Sequence, residues 1–123
     1  MINLEPRHSK WMSFAFSQAQ KAYDSNEVPV GAIVVYNDKI IGRGHNQKEH
    51  LNDPTAHAEI IAITAATNTI NDWRLIDCEL YVTKEPCPMC AGAIINSRIR
   101  SVIFGCYDDK EGCCGSCLLY TSD

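Results

Sequence analysis

Between Ser9 and Ser25 apolar residues recur every three or four positions: Met12, Phe16, Ala19 and Tyr23. One apolar stripe at that period predicts a helix packed on a core. Pro29 disfavours helix at Val28, so Asn26-Glu27-Val28-Pro29 closes it. The pattern then changes. Val30 to Tyr36 is an unbroken, β-branched apolar run and predicts a buried strand. Asn37-Asp38 is a hairpin turn signal, and Lys39 to Gly44 returns as a second strand. Gly42 and Gly44 weaken that strand and predict a close backbone approach. His45 to Asn52 is polar and predicts a loop.

Asp53-Pro54 predicts a helix start, with Asp53 capping free amides and Pro54 at the first helical position. This helix runs through Ala56, Ile60, Ile61 and Ile63 to about Asn68, with His57 and Glu59 in its first two turns. Asn68 to Arg74 is a loop and Glu79 to Thr83 a strand. Pro86 opens a further helix through Ala91 and Ile95 to Asn96, with Cys87 and Cys90 on one face of its first turn. Val102 to Phe104 is another strand. Strand, helix and strand in so short a span predict a βαβ unit with parallel pairing, and an α/β class.

The chain's 123 residues suffice for one domain. At 46% hydrophobic and 21% charged it has a globular composition. Met1 to Lys10 has no apolar core of the secretory type, and no apolar run is long enough to span a bilayer. A cytoplasmic protein without membrane attachment is the expectation. In that setting seven cysteines, an odd number, argue for metal binding or reduced thiols over a disulfide framework. The net charge of −4 argues against a strongly basic nucleic-acid binder, yet a local basic face would suffice for phosphate contact.

The chemistry concentrates in two strings, His57-Ala58-Glu59 and Pro86-Cys87-Pro88-Met89-Cys90. One imidazole and two thiolates make three zinc ligands with the fourth position left for water, whose pKa the metal lowers toward neutrality. Two helix N-termini would help hold Cys87 and Cys90 as thiolates. Glu59, two residues from His57, does not share its helix face. It fits a proton carrier between water and substrate better than a ligand. Either string alone is weak: His-Ala-Glu is common on solvated helices, and Cys-x-x-Cys serves redox pairs and structural zinc. Together they match the signature of zinc-dependent nucleobase deaminases. A second Cys-x-x-Cys, at Cys114 to Cys117, lacks both a strand-to-helix context and a partner histidine.

From Trp11 to about Ser116 the chain resembles the bacterial tRNA-specific adenosine deaminases. The stretches that carry this are Glu27-Val28-Pro29-Val30-Gly31-Ala32, Asp53 to Ile60, Trp73-Arg74-Leu75, Leu80 to Thr83, Glu85 to Ile94 and Ser97-Arg98-Ile99. The zinc strings mark the superfamily; the Arg-Leu and Ser-Arg-Ile elements, with Asp108 to Gly112, tilt toward the tRNA branch. The resemblance implies a three-layer α/β/α cytidine-deaminase-like fold around a mixed, five-stranded sheet, one zinc ion per subunit and a homodimer. It implies conversion of adenosine to inosine at the wobble position of a tRNA anticodon stem-loop. The flipped base would be read near Val30, Asn46 and the Ala58 backbone, with Asp108 near the RNA. Asn46 can pair with an adenine edge or cap a turn; its residue type serves both. The family continues through a last strand and a terminal helix, which this chain is expected to lack. Residues 1–116 are read as the deaminase domain and residues 117–123 as a non-native tail, because Cys117 to Asp123 resembles a translated sequencing adapter. Two other functions share these zinc residues: a free cytosine or guanine deaminase, and an inactive fragment or zinc-stabilised binding module.

Overall fold

Asn37 and Asp38 both have positive φ, 54° and 63°, the backbone a type I′ turn requires. They join β1 (Gly31–Tyr36) to β2 (Lys39–His45) as the turn signal predicts. The computed structural model describes residues 6–105. Within them the order is α1 (Pro6–Asp24), β1, β2, α2 (Ala58–Ile70), β3 (Glu79–Val82), α3 (Pro88–Asn96) and β4 (Ser101–Phe104). The strands form one mixed sheet, ordered β2-β1-β3-β4. β1 runs antiparallel to β2 and β3, while β3 and β4 are parallel across the predicted βαβ crossover. The family's last strand and terminal helix, the Asp108 loop, the cysteines from 106 to 117 and the 117–123 tail lie outside the described residues.

Both faces of the sheet are covered, which explains why β1 reads as a continuous apolar run and not an alternating one. Ala32, Val34, Leu80 and Val82 face α2 and α3, where they meet Ala58, Ala62, Ala66 and Ile94. Ile33, Val35 and Tyr81 face α1, where they meet Trp11, Met12 and Ala15. The layers are therefore α/β/α.

Glycine sets the spacing between layers. A Cβ on Gly42 would lie 2.3 Å from the Ala62 carbonyl oxygen, and one on Gly44 2.3 Å from that of Ala58. The backbone that approaches these glycines is thus α2. On the opposite face a Cβ on Gly31 would lie 2.2 Å from the Ala15 carbonyl oxygen.

That approach corrects the predicted face of α1. The buried face is Trp11, Met12, Ala15, Gln18, Ala19 and Ala22, while Phe16 and Tyr23 are 53% and 65% exposed. A helix lying directly on a strand glycine needs small residues at the contact, so the alanines turn inward and two aromatics of the predicted stripe turn out. The helix also ends where the proline argument does not place it. Asn26 adopts a left-handed φ of 62°, and the Glu27 N–H donates to the Ala22 carbonyl.

The start of α2 differs too. Asp53 accepts from the Thr55 N–H at 2.8 Å and the Thr55 hydroxyl at 2.7 Å, a local turn that competes with helix. The chain stays irregular through His57, which is extended at ψ 154°, and the helix begins at Ala58. His57 is therefore the N-cap and not a residue of the first turns. Cys87 is likewise the N-cap of α3, with Pro88 following it as the first helical residue.

Candidate metal centre and active-site cleft

The two N-caps face each other. His57 Nδ1 lies 3.5 Å from Cys87 Sγ and 3.4 Å from Cys90 Sγ. All three candidate ligand atoms lie within 4.8 Å of one another. Tetrahedral zinc, with bonds of about 2.0 Å to nitrogen and 2.3 Å to sulfur, would put nitrogen and sulfur about 3.5 Å apart. The donor set and its spacing fit that ion.

Neither N-cap side chain makes a capping hydrogen bond, so capping does not compete with ligation at either. Asn46 takes over the capping role at α2: its Oδ1 accepts from the Ala58 N–H at 2.8 Å. At α3 the N1 position is Pro88, which has no N–H to satisfy. Each helix thus presents its positive end to the thiol pair.

Glu59, one residue into α2 beyond Ala58, is 4% exposed and lies beside the ligand cluster, against Cys90, without being a member of it. Burial pushes its carboxyl up to about 6, against the opposing pull of its own backbone N–H, the Cys90 thiol and Lys84. Burial also pushes the Cys90 thiol up, with the Glu59 carboxylate adding to the effect. A cation between the sulfurs would reverse the pull on Cys90.

A cleft of about 310 Å³ opens over this group. One wall comes from the segment before β1, with Asn26, Glu27, Val28 and Val30. The loop after β2, hydrogen-bonded to that segment, extends it with Asn46, Lys48 and Glu49, and His57, Glu59, Lys84, Glu85 and Cys87 complete the lining as its floor. The cleft lies outside the carboxyl end of β3, where open α/β sheets place their ligands.

Of the residues expected to read a base, Val30 and Asn46 line this cleft. The Ala58 N–H donates to Asn46, and Ala58 is not among the lining residues. Because that N–H can only donate, the oxygen of the Asn46 amide is the atom committed to the cap, and its NH₂ group is the part available to a ligand. Asp108 lies outside the described residues. Sequence reasoning missed Glu27, Lys48 and Lys84 as lining residues. Glu27 carried no local signal, since its partners lie in a distant segment.

A family model described as MafB19-like deaminase matches residues 6–119. The tRNA-specific adenosine deaminase of Bacillus subtilis is 46% identical over 108 residues, 88% of this chain and 67% of that protein. The chain belongs to the tRNA-specific adenosine deaminase family. Among solved structures, one from work on tRNA:A34 deaminases that edit A to I at the wobble position superposes with a TM-score of 0.82. It is 43% identical and covers 85% of this chain and 75% of its own. The guanine deaminase of Bacillus subtilis superposes with a TM-score of 0.79 at 38% identity, covering 81% of this chain and 64% of its own. The family's cytidine-deaminase-like fold is the α/β/α arrangement described above.

Proposed function

We propose that this chain hydrolyses adenosine to inosine at the wobble position of a tRNA anticodon. The observation that carries the reading is Glu59: a buried carboxylate beside, and not within, a His57, Cys87 and Cys90 triangle at the floor of a cleft. A structural metal site would have no use for it. His57, Cys87 and Cys90 would hold zinc, which supplies a Lewis acid and a water of lowered pKa.

Glu59 takes the proton from the attacking water and passes it to the purine ring nitrogen, then carries a proton to the departing amine. A C–O bond forms at the purine C6, the C–N bond breaks, and adenosine plus water becomes inosine plus ammonia. The Asn46 NH₂ group donates to an acceptor on the base edge. Val30 supplies an apolar surface against the ring. Lys48 and Lys84, both lining the cleft, suit the phosphates on either side of a flipped nucleotide.

The reading includes a homodimer in the cytoplasm. On α3, Met89 and Ile95 are 38% and 41% exposed, and a Cβ on Gly92 would meet nothing within 4 Å. That outward apolar face suits a second copy. No helix among the described residues is long and apolar enough to cross a membrane.

The likeness to a guanine deaminase keeps a free purine base as the second reading. Zinc-loaded protein should be given an anticodon stem-loop and guanine in parallel. Inosine in the RNA is expected, and Glu59→Gln should lower its formation by about 10²–10⁴-fold with zinc retained. Ammonia from guanine with no inosine in the RNA would overturn the assignment in favour of the free base. Unchanged turnover in Glu59→Gln would overturn the role of that residue.

A further inference from the structure

Glu27 is 7% exposed, yet both its carboxylate oxygens are used by an exposed loop. Its Oε1 accepts from the Glu49 N–H at 3.1 Å and its Oε2 from the His50 N–H at 2.8 Å. The residue itself is anchored elsewhere. Its own N–H donates to the Ala22 carbonyl in the last turn of α1, and α1 rests on the sheet through Ala15 and Gly31. A second tie joins the same two segments, where the Asn46 N–H donates to the Val30 carbonyl at 3.1 Å.

Both segments line the cleft, and these bonds join them into one continuous wall. The tie at Val30 lies beside the ends of β1 and β2. The Glu27 ties lie further along the loop, beyond Lys48, whose residue type and exposure give it no such anchor of its own. The Gln47 N–H donates to the carbonyl of buried Ala56 at 3.0 Å, so Glu27 adds a second anchor to this loop, at Glu49 and His50.

We infer that Glu27 is a positioning residue for the substrate: a latch that pins the 46–50 loop to the segment before β1, so that Asn46 and Lys48 keep their places along the cleft, through two charge-assisted bonds to the Glu49 and His50 amides. This rests on the proposed reaction for its substrate, but not for its mechanical content. Glu27 is not one of the ligand triangle, and its carboxylate is taken up by the Glu49 and His50 amides. Its loss should therefore be felt in binding and not in the chemical step.

Glu27→Gln keeps the shape but presents only one oxygen, so one amide loses its acceptor. Hydrogen exchange at one of the Glu49 and His50 amides, read by NMR on the zinc-loaded protein, should accelerate by about tenfold or more, the scale of a lost bond to a charged group. KM for the stem-loop should rise by a similar factor, with kcat and zinc content little changed, and Glu27→Asp should recover part of the loss. Unchanged exchange at both amides would overturn the latch. So would a fall in kcat at constant KM, since that would put Glu27 in the chemistry. Should the protein prove inactive on RNA, the exchange measurement alone still decides whether the latch exists.

Discussion

His57 and Cys87 occupy equivalent positions on two different helices. Each is the extended residue immediately before the first turn, and their side chains meet with Nδ1 and Sγ 3.5 Å apart. The two helix ends carry partial positive charge and would not be brought together by their own fields. Two thiolates, and a metal holding them, make that meeting favourable. His57→Ala and Cys87→Ala should therefore lose zinc, measured as metal per chain after dialysis. They should also melt at lower temperature than the zinc-loaded parent, because metal binding energy is folding energy here. Full zinc occupancy in either variant would contradict the ligand assignment.

The contact between β2 and α2 leaves no room for a side chain. In Gly44→Ala the new methyl would meet the Ala58 carbonyl oxygen and, at 2.6 Å, the Ala62 nitrogen. Both are backbone atoms that cannot swing aside, so the helix must shift. Overpacking of this kind costs about 1–3 kcal/mol. Denaturant unfolding should show that loss, and activity should fall further than stability, since the displaced segment carries His57 and Glu59. Gly92→Ala meets nothing within 4 Å in its own chain and should cost no such strain within the subunit; because it lies on the proposed dimer face, the variant's oligomeric state should be measured alongside.

Asn46 is expected to show two separable defects. Asn46→Ala removes the acceptor of the Ala58 N–H, and loss of such a cap costs about 1 kcal/mol, visible in the melting temperature. Asn46→Asp keeps the acceptor and should keep the cap, but it has no NH₂ group to offer a base. Raised KM in Asn46→Asp at near-parental stability would separate the two uses of one side chain. If both variants lose stability alone, Asn46 is a cap and nothing more.

Acid should loosen the cleft wall before it unfolds the sheet. The Glu27 carboxyl is held below the usual carboxylate range, first by the His50 N–H, against the cost of burial, and further by the Glu49 N–H and the His50 and His45 side chains. A carboxyl depressed by folding contributes stability above its unfolded pKa and loses it as pH falls through the folded value. Protection of the Glu49 and His50 amides should therefore be constant from neutral pH down to about 4.5, the ordinary carboxyl value, and fade below it. Glu27→Gln should show no such pH dependence.

Much of this molecule was legible in its residues, for identifiable reasons. The β1–β2 hairpin was legible because Asn37-Asp38 is one of few pairs that accept two positive φ angles. The parallel pairing of β3 and β4 followed from a strand, helix and strand with no room for any other crossover. His57, Cys87 and Cys90 converge because residue type and spacing carry their chemistry. The misses share another cause. Phe16 and Tyr23 fit the period of α1, but Gly31 lets the helix come so close that only small residues fit beneath it. Asp53-Pro54 has the composition of a helix start, yet Asp53 spends its carboxylate on Thr55. Glu27 has no local pattern, because its partners are twenty-two and twenty-three residues away. Each miss is a competition decided by a partner distant in the chain or by a layer spacing that no single segment encodes.

The seating of α2 on Gly42 and Gly44 has one more consequence. Main chain there rests on main chain, so the location of His57 and Glu59 relative to the sheet does not depend on which rotamers the surrounding apolar residues adopt. Val34, Ile41 or Ile63 could drift in size over time and be absorbed by neighbouring side chains without displacing the reacting groups. The molecule thereby uncouples its tolerance for sequence change from the tolerance of its chemistry for misplacement, which is far narrower.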